Sequence, residues 1–464
     1  MNGKRNLHNS FRHSVLLRAV KLMDLAAMTG AFAAVWFFYY AGSLYQSFFR
    51  KGNWVIILIY AILYFLFGRV YNAFHISQNQ ISEVAAGQMI SLFLTNFITV
   101  LITWVLKRRF YNIWPYAGLY IVQCLFAICW AYFTNHWYFR RYRPMNTVVF
   151  EGEDMKGLKN IVEAHGLDKK YKVIRVVSEK ELESGGPELL EGAEAVFLVG
   201  LHSHERNQIL KYCIDSDIRA FIKPRLGDVI MNGAQEVHMM NLPVFRVDRY
   251  RPTPEFLLVK RVFDIVSSSL VLILASPILL IVSIIIKAED KGPVFYRQTR
   301  LTKDGKEFKL IKFRSMRVDA EADGVARLSS GENDSRITRV GRFIRKCRID
   351  ELPQLINIIK GDMSVVGPRP ERPEIAAEYE KELPEFRLRL QAKAGLTGYA
   401  QVYGKYNTTP YDKLSMDLMY IAHPSFIQDL KLIFATIIVL FRKESTEGFK
   451  GEDGMKVESG TENN

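Results

Sequence analysis

Four nearly charge-free apolar runs, about 22–43, 54–68, 84–106 and 114–138, fill the first third of the chain, and no other feature limits its folding more. A bilayer core takes roughly 20 apolar residues per helical crossing, so each run is a transmembrane candidate, the second being short. Lys4, Arg5, Arg12, Arg18 and Lys21 precede the first run, and Arg140, Arg141 and Arg143 follow the fourth. Basic flanks remain cytoplasmic, which puts both ends of the four-helix region on that side. Lys107, Arg108 and Arg109 then fall on the opposite side, against the same rule. The opening MNGKRNLHNSFRHSVLLRAVKLMD offers no small-residue cleavage site, so the first run is expected to be retained behind a cytoplasmic segment, residues 1–21.

The remainder of the 464 residues reads as soluble and basic, with one further apolar insertion. A chain with 49% hydrophobic and 24% charged residues has ample surface for packed cores, which excludes a wholly disordered protein. The net charge of +14 suits anionic lipids, nucleotides or phosphorylated substrates as well as nucleic acid, and does not choose among them. Cys124, Cys129, Cys213 and Cys347 form no CxxC pair and no metal spacing with histidine, so reduced thiols are expected.

From Asn146 the pattern changes to short β-rich runs, TVVF, YKVIRVV, AVFLVG and IRAFI, with a helix through Gln208 to Cys213. That alternation predicts a Rossmann-like α/β domain over 144–250. Its first strand-to-helix turn, VVFEGEDMKG, lacks GxGxxG: it has only Gly152 and Gly157, and Glu151, Glu153 and Asp154 would repel a pyrophosphate. A structural, oligomerising or regulatory role is expected there rather than a nucleotide site.

After RYRPTPEF comes KRVFDIVSSSLVLILASPILLIVSIIIKAED, long enough to span. Pro277, next to Ser276 near its middle, removes an intrahelical hydrogen bond and predicts a kink or break. By pattern alone the commoner outcome is a kinked fifth crossing. Such a crossing would put the basic residues 287–464 outside the cell.

Four signals follow: GPVFYRQTR, KLIKFRSMR, RKCRIDELPQL and VVGPRPERPE. Pro353 is tolerated only in a first turn, so LPQLINIIK is predicted to begin its helix at or just after Asp350 and to stop at Gly361. Asp350 would then sit near the N-cap, with Glu351 able to face the same site and the helix's positive end attracting phosphate. Alone, Asp350 is explained equally by capping and Glu351 by its first-turn position. The surrounding cations, Arg345, Lys346, Arg348, Lys312, Arg314 and Arg369, shift the balance, because arginine forks match phosphate oxygens. Carboxylates among such cations point to Mg²⁺-dependent phosphoryl transfer, and a carboxylate can also be the nucleophile. No P-loop, HRD or HExxH string offers a rival chemistry.

The stretch from Lys260 to about Lys443, with KRVFD, the Ser276-Pro277 break, GPVFYRQ, KFRSM, RIDELPQLINIIKGDMSVVGPRP and AGLTGYAQV, resembles the catalytic domain of the bacterial sugar transferases, the monotopic phosphoglycosyl transferases. With four preceding spans and a Rossmann-like middle domain, the whole chain is similar to their large subgroup, the undecaprenyl-phosphate galactose or glucose phosphotransferases of exopolysaccharide, capsule and O-antigen synthesis. The resemblance implies a membrane protein of α and α/β parts: a four-helix transmembrane bundle (22–143), the Rossmann-like domain, a mainly helical catalytic domain (251–443) with a re-entrant helix at about 262–286, and a flexible tail (444–464). One departure is Thr302 in RLTKDGKEF, where the family pattern has glycine.

In that family the reaction is ping-pong. Asp350 would attack the β-phosphate of a UDP-sugar, releasing UMP, and undecaprenyl phosphate would collect the phosphosugar. Glu351 would bind Mg²⁺; Lys312, Arg314 and Arg369 would hold phosphate or nucleotide; Lys260 and Arg261 would lie at lipid headgroups. Ser276 and Pro277 would turn the helix back into its own leaflet, at the cytoplasmic face of the bacterial inner membrane. The expected partners are UDP-sugar, undecaprenyl phosphate and the bilayer, with no nucleic acid; a homodimer suits the layout without being required by it. The sugar is not specified, glucose or galactose being favoured by resemblance alone. Two alternatives are an inactive scaffold or sensor acting through the middle domain, and a polytopic prenyl-phosphate transferase. The intact Asp350-Glu351 pair argues against the first, and the scarcity of intramembrane acids, with Asp24 and Asp264 only near helix edges, against the second. The final run LIFATIIVLF is too short to span and suits an interfacial helix.

Overall fold

The computed structural model describes residues 2–45, 48, 51–76, 81–152, 168–184, 187–250, 252–317, 336–404 and 408–441. The 444–464 tail lies outside them. Two compact units divide between Lys223 and Pro224. This boundary falls ahead of the one at 250 drawn from the sequence, because residues after Lys223 join the second unit's core: Val229 and Tyr250 pack with Leu414 and Leu418.

In the first unit, helices α1 (Asn2–Val35), α2 (Gly52–Val70), α3 (Ile81–Lys107) and α4 (Trp114–Arg141) each pack on the next, and α4 packs back on α1. The first helix continues through a π turn, so that Met28, Phe32, Trp36 and Tyr40 recur every four residues and all face the core. Phe32 stacks on Tyr60 at 4.0 Å between ring centroids. α3 lays a polar stripe into this core, and its hydroxyls are satisfied locally: Ser91, Thr95, Thr99 and Thr103 each donate to the carbonyl four residues back. Asn96 donates to Gln123, which donates to Tyr60 and to the Met28 carbonyl. Asp24, expected at a helix edge, is instead inside, 1% exposed, accepting from Tyr64 at 2.9 Å and Gln88 at 3.4 Å.

The same unit carries a parallel sheet of β1 (Met145–Glu151), β2 (Tyr171–Ser178), β3 (Ala195–Val199) and β4 (Arg219–Ile222), in spatial order β2-β1-β3-β4. Helices α5 (Glu179–Ser184) and α6 (Ser203–Asp215) follow β2 and β3. Each strand falls on one of the β-rich runs. β1 is buried along four consecutive residues, as a central parallel strand requires.

The second unit opens with α7 (Leu226–Asn232) and a hairpin of β5 (Gln235–Met239) and β6 (Leu242–Arg246). Helix α8 (Pro254–Asp290) begins with Pro254 at N1 and the Thr253 hydroxyl accepting from the Phe256 amide. It remains helical through Pro277, so no break in secondary structure occurs there. Proline deprives the Ile273 carbonyl, four residues back, of its donor. The Ser276 hydroxyl supplies one at 2.7 Å. With α1 to α4 this gives, among the described residues, five helices long and apolar enough to cross a membrane.

There follow the hairpin β7 (Phe295–Leu301) and β8 (Glu307–Phe313), α9 (Arg339–Lys346), α10 (Gln354–Lys360), β9 (Ser364–Val366), α11 (Pro373–Glu382), β10 (Gly395–Thr397), α12 (Tyr399–Tyr403), α13 (Pro410–Ala422) and α14 (Phe426–Phe441). β9 pairs with β10. α8 packs into this unit along its length. Asp264 accepts from the Val365 amide at 3.0 Å, Leu272 joins the cluster of Phe308, Leu355 and Ile358, and Val282 and Ile286 pack on Phe313 and Ile344. Its other face, including Val266, Leu270, Ile273, Leu274, Leu280, Ile281 and Ile284, is exposed.

Candidate active site

Asp350 does not cap the α-helix. A 3₁₀ turn, Ile349–Glu351, precedes α10, and Pro353 occupies the N-cap of the helix itself, so the helix start expected at Asp350 moves to Gln354 and its phosphate-attracting end moves with it. A tight turn projects Asp350 and Glu351 differently from a regular helix. Arg348, immediately before it, holds a left-handed φ of +55°, uncommon without glycine and a small store of strain at the site.

The Asp350 side chain is 8% exposed, and its Oδ1 is buried without a hydrogen-bond partner. Burial and the adjacent Glu351 push its carboxyl up to about 6, against the pull of Lys312, Arg345 and Arg348. Glu351 goes the other way. Burial opposes its ionisation, but Arg369, Arg348 and Lys312 outweigh burial and hold it below the ordinary carboxylate range. Its Oε1 lies 3.4 Å from both the Arg348 and Arg369 guanidinium groups. The two neighbouring carboxylates thus shift in opposite directions: Asp350 keeps one buried oxygen without a hydrogen-bond partner, whereas Glu351 shares one oxygen between two guanidinium groups.

Lys312 reaches the site from β8. Strand pairing sets it opposite Tyr296, whose ring lies 5.3 Å from its Nζ. Burial and Arg300 lower its ammonium to about 8, while Asp350 and Glu351 favour the charge. The polar cavity lined by Arg297, Lys309 and Asn357 lies on the other face of β8, by the alternation of a strand. Arg314, just past β8, is 7% exposed, its amide donating to the Val294 carbonyl.

The Pro368-Arg369-Pro370 loop is clamped from several sides. Gly395 donates to the Pro368 carbonyl, Arg389 Nη2 to the Arg369 carbonyl at 2.9 Å, and Arg300 to the Pro370 carbonyl at 3.0 Å. A side chain on Gly395 would place its Cβ 2.1 Å from the Gly367 nitrogen, so AGLTG brings two backbones together where nothing larger fits. Glu371 accepts from Lys413 at 3.3 Å and lies 3.6 Å from Arg389.

The structure brings Asp350, Glu351, Lys312 and Arg369 together, and turns Lys260 and Arg261 elsewhere. Lys260 Nζ pairs with Asp429 at 2.6 Å and donates to the Val366 carbonyl and Tyr420, and Arg261 donates to the carbonyls of Ile358 and Ile359 at the end of α10. Both were expected at lipid headgroups; in the fold their charges are spent on buried partners. Ser276 and Pro277 lie on the apolar helix, away from the carboxylates in sequence. Sequence reasoning missed Arg300, Arg389, Lys413 and Asp417. Asp417 carried a signal: it occupies the core phase of α13 beside Leu414, Leu418 and Ile421.

Hard oxygen donors beside forked cations, carried on a unit with a long apolar helix, are chemically suited to anionic phosphorylated ligands. Residues 255–443 match the family model described as bacterial sugar transferase. A UDP-glucose:undecaprenyl-phosphate glucose-1-phosphate transferase of Klebsiella pneumoniae is 44% identical over 191 residues, 40% of this chain and 41% of that protein. A UDP-N-acetylgalactosamine-undecaprenyl-phosphate N-acetylgalactosaminephosphotransferase of Aeromonas hydrophila is 39% identical over 189 residues, 40% of this chain and 44% of that protein. The exopolysaccharide production protein PSS of Rhizobium leguminosarum bv. phaseoli is 41% identical over 191 residues, 39% of this chain and 94% of that protein. The chain belongs to the bacterial sugar transferase family. Its match spans less than half the length of the first two relatives.

Proposed function

We propose that the protein transfers a sugar 1-phosphate from a UDP-sugar to undecaprenyl phosphate, a membrane step that initiates exopolysaccharide, capsule or O-antigen synthesis. The observation that carries this reading is Asp350: a buried carboxylate with one oxygen lacking a hydrogen-bond partner, in a ring of cations, inside the matched segment. A carboxylate oxygen without a donor is free to attack phosphorus.

In the first half-reaction an Asp350 oxygen bonds to the sugar-bearing phosphorus, and the bond from that phosphorus to the UMP oxygen breaks. UMP leaves, and an aspartyl phosphosugar remains. In the second, an undecaprenyl phosphate oxygen attacks the same phosphorus and Asp350 departs as carboxylate, which completes a ping-pong cycle. Arg369 and Lys312 bind the charge that passes between donor and acceptor, and Arg314, just past β8, is assigned the same role. Glu351 is a hard oxygen ligand of the kind Mg²⁺ prefers and is the residue that would hold this cation, leaving the unpartnered Asp350 oxygen for attack. A magnesium ion held there would supply charge neutralisation for the diphosphate and the leaving UMP.

The contacts of α8 support a re-entrant topology. Asp264 and Ile286 both pack on the unit that carries Asp350, although roughly 33 Å of helix lies between them. A helix anchored to one globular unit at both ends, with an apolar outer face, favours entry into and exit from the same leaflet. The catalytic unit then remains at the cytoplasmic face of the inner membrane, with the UDP-sugar, while α1 to α4 form a four-helix transmembrane bundle.

The test is UMP release by purified protein in nanodiscs, with Mg²⁺ and a panel of UDP-sugars. Release that requires undecaprenyl phosphate for turnover, and is absent in Asp350→Asn, is the expected result; it also names the sugar. Equal release by a folded Asp350→Asn protein would contradict the assignment.

A further inference from the structure

We propose that Glu179, His202 and Glu205 form a divalent transition-metal site in the α/β domain of the first unit, separate from the transferase chemistry. Each residue offers one ligand atom, and the three atoms lie within 4.8 Å of one another. The His202 imidazole Nδ1 meets Glu179 Oε1 directly, and the His202 amide donates to the same oxygen at 3.3 Å. Glu205 points a second argument at a cation: its Oε2 is buried with no hydrogen-bond partner. A buried carboxylate oxygen lacking a donor is costly unless a positive charge or a proton satisfies it.

The fold explains how residues so distant in sequence converge. Glu179 follows β2 and His202 follows β3, yet β1 lies between these strands. The β3 loop crosses the end of β1 through Gly152 and Gly200. Gly152 donates to the Val199 carbonyl at 2.9 Å, and a Cβ on Gly152 would sit 2.3 Å from the Gly200 oxygen. Gly200 also holds a φ of +76°. This close approach leads the chain to His202 and sets Glu205 in the first turn of α6. The ligands therefore gather outside the carboxyl ends of parallel strands, where open α/β sheets bind their ligands. Glycine in VVFEGEDMKG thus serves loop crossing. Glu153, Asp154 and Gly157 of that turn lie outside the described residues.

One imidazole with two carboxylates selects the metal class. An imidazole nitrogen favours zinc, copper, iron or nickel over magnesium, and three protein ligands leave a fourth position for water.

The experiment uses the full chain in nanodiscs, stripped with chelator and reloaded with ZnCl₂ in millimolar MgCl₂, with bound zinc counted by mass spectrometry and unfolding followed by scanning fluorimetry. Wild type should retain one more zinc per chain than His202→Ala and Glu205→Gln, and zinc should raise its melting temperature while leaving that of both variants unchanged. His204→Ala, next to the cluster and outside it, should bind as wild type. Should His202→Ala fail to fold, the near-isosteric Glu205→Gln carries the comparison. Equal zinc in wild type and the folded Glu205→Gln variant, or no zinc-dependent stabilisation of wild type, would overturn the assignment. Neither result depends on whether the transferase reading holds, because no turnover is measured.

Discussion

Arg389 grips Asp417 through Nε at 2.8 Å and Nη2 at 2.7 Å, with both side chains at most 2% exposed, and the same Nη2 donates to the Arg369 carbonyl. A buried ion pair thereby fixes the backbone of an arginine that faces the candidate nucleophile's partner, Glu351. Breaking one side of such a pair leaves a buried charge uncompensated and costs about 3–5 kcal/mol. Asp417→Asn should lower the melting temperature and raise KM for the UDP-sugar. The double variant Arg389→Met with Asp417→Leu should recover much of the stability without the activity, since apolar side chains can fill the space but cannot hold the Arg369 carbonyl. Equal recovery of both would mean that Arg389 has no positioning role.

Ser276 and Pro277 make a second, separable prediction. Ser276→Ala removes the donor to the Ile273 carbonyl and should destabilise α8 by about 1 kcal/mol. In a Pro277→Ala background the restored backbone amide satisfies that carbonyl, and the serine effect should vanish. A double-mutant cycle on unfolding in detergent reads this coupling; additive effects would exclude it.

On the proposed mechanism, Asp350 would set the acid limb of the first half-reaction. Its carboxyl is held at about 6, so the attacking carboxylate is present above that pH and is lost as pH falls through it. Single-turnover UMP release should be flat above about pH 7 and fall about tenfold per unit well below 6. Bound Mg²⁺ favours the carboxylate and moves the limb lower, so the profile is taken at several Mg²⁺ concentrations. Stability runs in the opposite direction. The folded chain binds this proton more tightly than the unfolded chain, so the metal-free protein gains stability as pH falls from about 6 towards about 4, where the unfolded carboxyl titrates. Asp350→Asn should remove that gain.

Glu351 is the proposed magnesium ligand. Glu351→Gln should raise the Mg²⁺ concentration needed for half-maximal turnover by about tenfold or more. Titration of turnover against MgCl₂ in both proteins reads the shift, and an unchanged requirement would assign the cation elsewhere.

Local patterns made much of the fold legible. The four apolar runs, the β-rich strings and the stop at Gly361 each report on residues near in sequence, and each is where it was expected. The start of α10 was misplaced because a 3₁₀ turn and an α-helix share the same first-turn preferences, and DELP suits either. Lys260 and Arg261 have partners that the sequence does not show. A basic pair at the mouth of an apolar helix looks like a headgroup anchor, and only the tertiary fold supplies Asp429 and the α10 carbonyls as partners. Within the site, Asp350, Glu351, Lys312 and Arg369 stood out because they lie in short dense strings. Arg389 and Lys413 did not, because what they hold, the loop at 369–371, is remote in sequence.

The central claim is a covalent aspartyl phosphosugar on Asp350, and isotope exchange tests it most directly. Purified protein in nanodiscs free of undecaprenyl phosphate is given Mg²⁺, the UDP-sugar that supports turnover, and radiolabelled UMP. A ping-pong enzyme reverses its first half-reaction without the lipid, so label should enter the UDP-sugar with wild type and not with Asp350→Asn. Turnover with lipid but no exchange without it would contradict the covalent mechanism, as would exchange undiminished in the asparagine variant.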